Sequence, residues 1–380
     1  MRMDRRQPRR WPYGVCAVVA AACCLSACGL DRDEGARPRQ AGSARATIER
    51  ALPREIPDRG GWTEDLYADF RALALPPTRD NVCAVIAVIG QESDFRTDPV
   101  VAHLGEIAAR EIDARAARAG IPLSLVHAVL QLRSSTGQTY LERIDRARTE
   151  KELSDIYEDF IGRVPLGTRL FAERNPIRTR GPMQVNIAFA ERYADAKPYP
   201  YPVHLSIADE VFTRRGSLYF GIAHLLDYAA PYDRYLFRFA DFNAGQYASR
   251  NAAFQSALAR LVRTAITPDG ALLPHAADDA RGAPELGSTE AALRTLAPRL
   301  QLDDAEIHEA LAQGRTAAFE SSALYRRLFA LADQAAGTRQ PRALVPRIDL
   351  HSPKLRRALT TAWYANRVDA RFRRCLDDVG

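Results

Sequence analysis

Two cysteines constrain this chain more than any other feature. Cys83 and Cys375 stand 292 residues apart, the first in a strongly apolar stretch and the second five residues from the end. A bond between them would oblige any fold to bring the C-terminus back against that stretch. Disulfides persist in oxidising compartments and are rare in reducing ones, so the question turns on where the chain is sent. The N-terminus answers it. Arg2, Arg5, Arg6, Arg9 and Arg10 precede an apolar segment, Val15 to Ala27. A basic region, a short apolar run and small residues before a cut describe a secretory signal.

That segment ends Leu25-Ser26-Ala27-Cys28-Gly29. It resembles a bacterial lipoprotein signal over residues 1–27, with Cys28 as the lipidated first residue of the mature chain. The alternative, a transmembrane anchor, is set aside because the run is shorter than the ~20 residues a span needs. Acyl chains on Cys28 would hold the protein to a membrane at about 0.8 kcal/mol per buried methylene. By analogy with other lipoproteins, a residue other than aspartate at position 29 favours the outer membrane, facing the periplasm. Processing removes Cys16, Cys23 and Cys24. Cys83 and Cys375 are then left to pair, the alternative being two buried free thiols. For so long a loop the chain-entropy model gives roughly 5 kcal/mol, an upper figure.

The charge of +6 comes from 53 basic and 47 acidic residues. Without residues 1–27 the balance is 48 to 46, a net +2. The high pI of 9.1 therefore reflects the leader. No basic stripe with interleaved aromatics appears, so nucleic acid is not an expected partner. Seven histidines are scattered without metal-ligand spacing, and no metal or other cofactor is expected.

Residues 28–50 are polar and read as a flexible tether. Trp62, Leu66, Tyr67 and Phe70 have helical spacing. Val82 to Phe95 follows, an apolar run that delivers one carboxylate, Glu92. It reads as a helix capped by Asp80 or Asn81 rather than a buried strand. A carboxyl against apolar surroundings resists ionisation and can donate a proton near neutral pH. Glycosidic bond cleavage needs such a group; a solvated helix end is the plainer alternative.

Helical periodicity continues through Leu104, Ile107 and Ile112, closed by Gly120, and restarts at Pro122. Thr149 and Glu152 form a capping box before Leu153, Ile156 and Phe160. Further on, Gly181-Pro182-Met183-Gln184-Val185 is a turn with one amide between apolar residues. Gly221 sits in the apolar helix Leu218 to Leu226, and Phe242-Asn243-Ala244-Gly245 joins an aromatic face to an amide. Residues 264–287 read as a linker or long loop, and 288–380 as a helical extension with a last helix from Ser352-Pro353.

Glu92-Ser93, then Gly181-Pro182-Met183-Gln184-Val185, then Phe242-Asn243-Ala244-Gly245 resembles the lytic transglycosylases of the lysozyme-like superfamily. Those enzymes carry a catalytic Glu-Ser, a Gly-Leu-Met-Gln type turn and a Tyr-Asn-Ala-Gly segment. The resemblance covers residues 80–260 and departs in two places. From Glu92 to Gly181 is 89 residues, which makes about 97–175 a helical insertion, and Phe242 replaces a tyrosine. The family's second serine has no clear counterpart. Tyr247 and Tyr364 are the candidates for its late tyrosine.

The resemblance implies a mainly α protein: a lysozyme-like domain over 51–263 with a long helical insertion and a helical C-terminal extension. It implies cleavage of the β-1,4 bond between N-acetylmuramic acid and N-acetylglucosamine in peptidoglycan, with Glu92 as acid and then base. Ser93, Gln184 and Asn243 would orient the sugar beside Gly181, with Met183 and Phe242 in apolar contact. Peptidoglycan strands are the implied partner. Two other readings remain open at this point. A goose-type hydrolase would need a second carboxylate, with Asp94 and Asp98 nearest in sequence. A non-catalytic lipoprotein would grip glycan or scaffold other cell-envelope proteins.

Overall fold

A computed structural model describes residues 36–163, 179–274, 286–350 and 359–379, with side chains from Gly42 onward. The leader and Cys28 lie outside the described residues. The protein is mainly α, with two short two-stranded sheets.

The apolar run is helical. Helix α3 (Arg79–Glu92) buries every residue from Val82 to Gly90, so nine consecutive positions face protein on all sides. Its cap is Thr78 rather than Asp80 or Asn81: the Thr78 hydroxyl accepts from Asn81 N at 3.2 Å. The Asn81 side chain instead donates to Pro76 O at 2.9 Å and accepts from Tyr235 OH at 2.7 Å. Helix α1 (Ala36–Ala51) packs on α3 and on α2 (Arg59–Ala72). The tether expected over 28–50 is therefore helical from Ala36. Ala44, Ile48 and Leu52 form a narrow stripe that joins the core, and the polar residues around it mask it in the sequence.

The insertion has its own small core. Helices α4 (Leu104–Arg118), α5 (Leu123–Leu130), α6 (Tyr140–Arg146) and α7 (Glu150–Arg163) gather Leu104, Tyr140, Ile144, Leu153 and Ile156. Helix α5 buries none of its residues. The Thr149–Glu152 box forms in both directions, at 3.1 and 3.3 Å.

A tight hairpin of β1 (Thr179–Arg180) and β2 (Val185–Asn186) then leads into α8 (Ile187–Ala196) and the short α9 (Ile207–Glu210). Helices α10 (Arg214–Leu226) and α11 (Tyr235–Ala244) complete the main core with α2 and α3. Helix α12 (Ala248–Val262) carries Phe254 and Leu258 into a second core. That core is shared with α13 (Ser288–Leu300), α14 (Asp304–Ala312), α15 (Ala318–Ser321) and α16 (Ala323–Ala336). The first part of the expected linker is anchored here. Ile266 and Leu272 are buried, and Gln255 clasps Gly270 N and Ala271 O at 2.8 and 3.0 Å.

The tail does not form one unit. While α13–α16 pack on α12, strands β3 (Asp349–Leu350) and β4 (Leu359–Thr360) pair and lead into α17 (Thr361–Val379), which returns to the main core. It starts nine residues later than expected from Ser352, whose surroundings lie outside the described residues. Helix α17 packs on α3 and α11, with Phe372 against Tyr235 and Phe239 at ring distances of 4.9 and 5.6 Å. Cys83 and Cys375 are disulfide-bonded across the α3–α17 contact, with Cα atoms 5.6 Å apart.

Candidate functional site

Glu92 is the last residue of α3, so the apolar helix ends in a carboxyl. The side chain is only partly covered, but dense protein surrounds it. Burial pushes its pKa up to about 7; a hydrogen bond from Tyr364 opposes that rise only in part. The helix C-terminus acts in the same direction as burial, since its partial negative charge disfavours a carboxylate. Tyr364 OH donates to Glu92 Oε1 at 2.5 Å. Its own proton is held more tightly than usual, by burial first and then by Glu92.

One turn earlier on α17, Thr361 Oγ1 donates to Asn243 Oδ1 at 2.9 Å. Positions 361 and 364 share a helix face, so the closing helix serves both Glu92 and Asn243. Asn243 Nδ2 has no hydrogen-bond partner among the described residues. Phe242, beside it, is half-buried. Its carbonyl lies 3.3 Å from His224 Nε2, and the two rings are 5.1 Å apart. Burial lowers the His224 pKa to about 4, so the ring is neutral and Nε2 carries its proton.

The hairpin is built by close approach. Gly181 has φ of 70°, and a Cβ there would lie 2.2 Å from Val211 O and 2.6 Å from Ser217 Oγ. Only glycine fits. Ser217 Oγ accepts from Met183 N at 3.0 Å. Gly221, one turn on along α10, leaves room for the Met183 side chain: a Cβ there would be 2.4 Å from Met183 Sδ.

This arrangement corrects several expected roles. Met183 is fully buried and packs on Gly221, so it cannot touch a sugar. The Gln184 amide is committed within the protein. Its Oε1 accepts from Thr179 Oγ1 at 3.0 Å, and its Nε2 donates to Gly181 O at 3.3 Å and Glu150 Oε2 at 3.4 Å. Ser93 is buried, and its hydroxyl turns back to Ile89 O at 3.3 Å. Gly181, Met183 and Gln184 thus shape the hairpin, while Glu92, Phe242 and Asn243 keep partly exposed functional groups.

Of the two tyrosine candidates, Tyr364 reaches Glu92, whereas Tyr247 packs beside Tyr228 and under Arg250. Asp94 is exposed and Asp98 interacts with Thr149 of the insertion. Neither contributes to the Glu92 shift. Sequence reasoning missed Ser217, Thr361 and Glu150. Ser217 and Gly221, four residues apart on α10, form a small-residue face that signals close approach of another segment. Nothing local marks Thr361 or Glu150, because their partners are distant in sequence. Among the described residues no group of side chains could hold a metal ion, and no helix is long and apolar enough to cross a membrane.

Residues 55–378 match the model of the family described as protein of unknown function (DUF1615), and the chain belongs to that family. It is also similar to the uncharacterized protein YaiW of Escherichia coli (strain K12), 45% identical over 360 residues, covering 95% of this chain and 96% of the relative. No solved structure matches the chain.

Proposed function

We propose that this protein is a peptidoglycan lytic transglycosylase with a lysozyme-like core, held at the outer membrane by lipid on Cys28 and facing the periplasm. The observation that carries the reading is the Glu92–Tyr364 pair beside Asn243. A carboxyl with a pKa near 7 can serve as acid and then as base at the same pH. In the first step Glu92 protonates the oxygen bridging the two sugars, and the bond from that oxygen to muramyl C1 breaks. The sugar's own N-acetyl oxygen stabilises the cation at C1. Glu92, now a carboxylate, removes the proton from the C6 hydroxyl, and O6 bonds to C1 to close a 1,6-anhydro ring. No second carboxylate is required. Asn243 offers Nδ2 to the acetamido oxygen, and Phe242 offers a partly exposed ring face.

The test is a digest of purified sacculi by the mature chain carrying Cys28→Ala, with and without Glu92→Gln. Anhydro-muropeptides that vanish with the substitution are the expected result. Reducing-end products would replace this reading with hydrolysis and require a second carboxylate. Binding without any product would replace it with a glycan-gripping scaffold for other envelope proteins.

A further inference from the structure

The face of α17 beside Glu92 carries two arginines, Arg367 and Arg371, that form no ion pair among the described residues. Arg367 Nε and Arg371 Nε both donate to one oxygen, Gln91 Oε1, at 3.0 and 3.4 Å. Gln91 is the neighbour of Glu92 in the chain. An amide oxygen carries no full charge, so two cations share a neutral acceptor. Among the described residues neither guanidinium forms an ion pair with a carboxylate. The nearby Arg373 does, with Asp369 at 2.6 Å. Arg371 is the most covered of the group. Burial, Arg367 and Arg374 all disfavour its charged form, and Asp94 favours it.

The geometry leaves the forks available. Each guanidinium spends its Nε on Gln91, and the terminal nitrogens are left for another acceptor. Residues 367 and 371 lie one turn apart on one face of α17. The Cys83–Cys375 bond and the α3–α17 packing hold that face against the end of α3. Such fixed, forked donors suit a planar carboxylate, which accepts two parallel hydrogen bonds.

We propose that Arg367 and Arg371 form a carboxylate-binding subsite adjoining Glu92, and that it takes the acidic peptide stem carried by the muramyl sugar. The proposal rests on the reading of the chain as acting on peptidoglycan. The stem hangs from the same sugar whose C1 Glu92 serves, and the two arginines are held by Gln91, the chain neighbour of Glu92. The substrate is then a peptide-bearing strand rather than bare glycan.

Binding tests this without turnover. The mature chain with Cys28→Ala and Glu92→Gln is titrated calorimetrically with an N-acetylglucosaminyl-N-acetylmuramyl tetrapeptide and with the same disaccharide lacking the peptide, its lactyl carboxyl capped as the primary amide so that it carries no carboxylate. The expected result is at least a tenfold preference for the peptide-bearing ligand, about the worth of one strong charge-assisted hydrogen bond pair. Adding Arg367→Gln and Arg371→Gln should abolish the preference, with helicity and the disulfide intact. Equal affinity for the two ligands, or a preference that survives both substitutions, overturns the subsite. Loss of binding to phosphatidylglycerol vesicles in the double variant, with the peptide preference kept, overturns it in favour of a lipid-facing role. The sacculus digest reads the other claim separately. Anhydro products without peptide preference leave the reaction standing and remove the subsite. An arginine-dependent preference without products leaves the subsite and removes the reaction.

Discussion

The two sides of the candidate site are held in different ways. On the Glu92 side, the last helix of the chain reaches back across the fold. Single hydrogen bonds from Tyr364 and Thr361 set Glu92 and Asn243, and each of these keeps a polar end unspent. On the Gln184 side, the insertion grips the hairpin. Glu150 takes the Gln184 amide at 3.4 Å, and Arg180 donates to Ser154 Oγ at 2.6 Å and Glu158 Oε1 at 3.4 Å. There both ends of the amide are occupied. An amide whose two ends are both bonded within the protein helps specify structure, whereas Asn243 Nδ2, unspent among the described residues, retains capacity for a ligand. Under the proposed function, chemistry falls to the Glu92 side and support to the Gln184 side.

The largest expected effect comes from Glu92→Gln, which should lower turnover by about 10³-fold, within the range for loss of a general acid. Its effect on stability has the opposite sign. The folded-state pKa of about 7 lies above the ordinary 4.5, so the folded protein binds more protons than the unfolded chain between those values. Stability therefore falls as pH rises through that window. The substitution should raise stability at pH 8 by up to ~3 kcal/mol, with no gain below pH ~4.5. Denaturant melts at both pH values check it.

Cys83→Ser with Cys375→Ser should cost roughly 2–5 kcal/mol. If the comparison is right, activity falls with it under native conditions, because the helix that holds Glu92 and Asn243 is no longer tied to α3. Unchanged activity would show that α17 packing alone suffices. Asn243→Ala should lower activity about tenfold to a hundredfold with little loss of stability, whereas Gln184→Ala should do the reverse, losing about 1–2 kcal/mol through its broken, partly buried hydrogen bonds. Equal patterns for the two would collapse the distinction. The smallest effect belongs to Tyr364→Phe. The Tyr364 hydrogen bond favours the Glu92 carboxylate, so its removal should move the midpoint of the pH–activity profile upward, read from initial rates across pH.

Much of the main core was legible because apolar periodicity is a local signal. Helix α3, the Thr149–Glu152 box and the hairpin turn at Gly181 all appear where the sequence places them. Cys83 and Cys375 stood out because the expected leader carries Cys16, Cys23 and Cys24. The corrections share a physical cause. Whether Gln184 and Ser93 face a ligand or their own backbone depends on partners far away in sequence, such as Glu150, or on the exact turn of a helix end. Tyr364 was nameable only as a candidate, since 272 residues separate it from Glu92. Helix α1 escaped notice because the apolar stripe it brings to the core, Ala44, Ile48 and Ala51, is narrow in a polar background.

The most direct test of the account is a titration of the Glu92 carboxyl by ¹³C NMR on protein labelled at glutamate Cδ, assigned by the signal lost in Glu92→Gln. A midpoint near 7 that moves higher in Tyr364→Phe is the predicted result. A midpoint near 4.5, or one insensitive to Tyr364, would contradict it, because Glu92 would then be an ordinary solvated carboxylate at the end of a core helix.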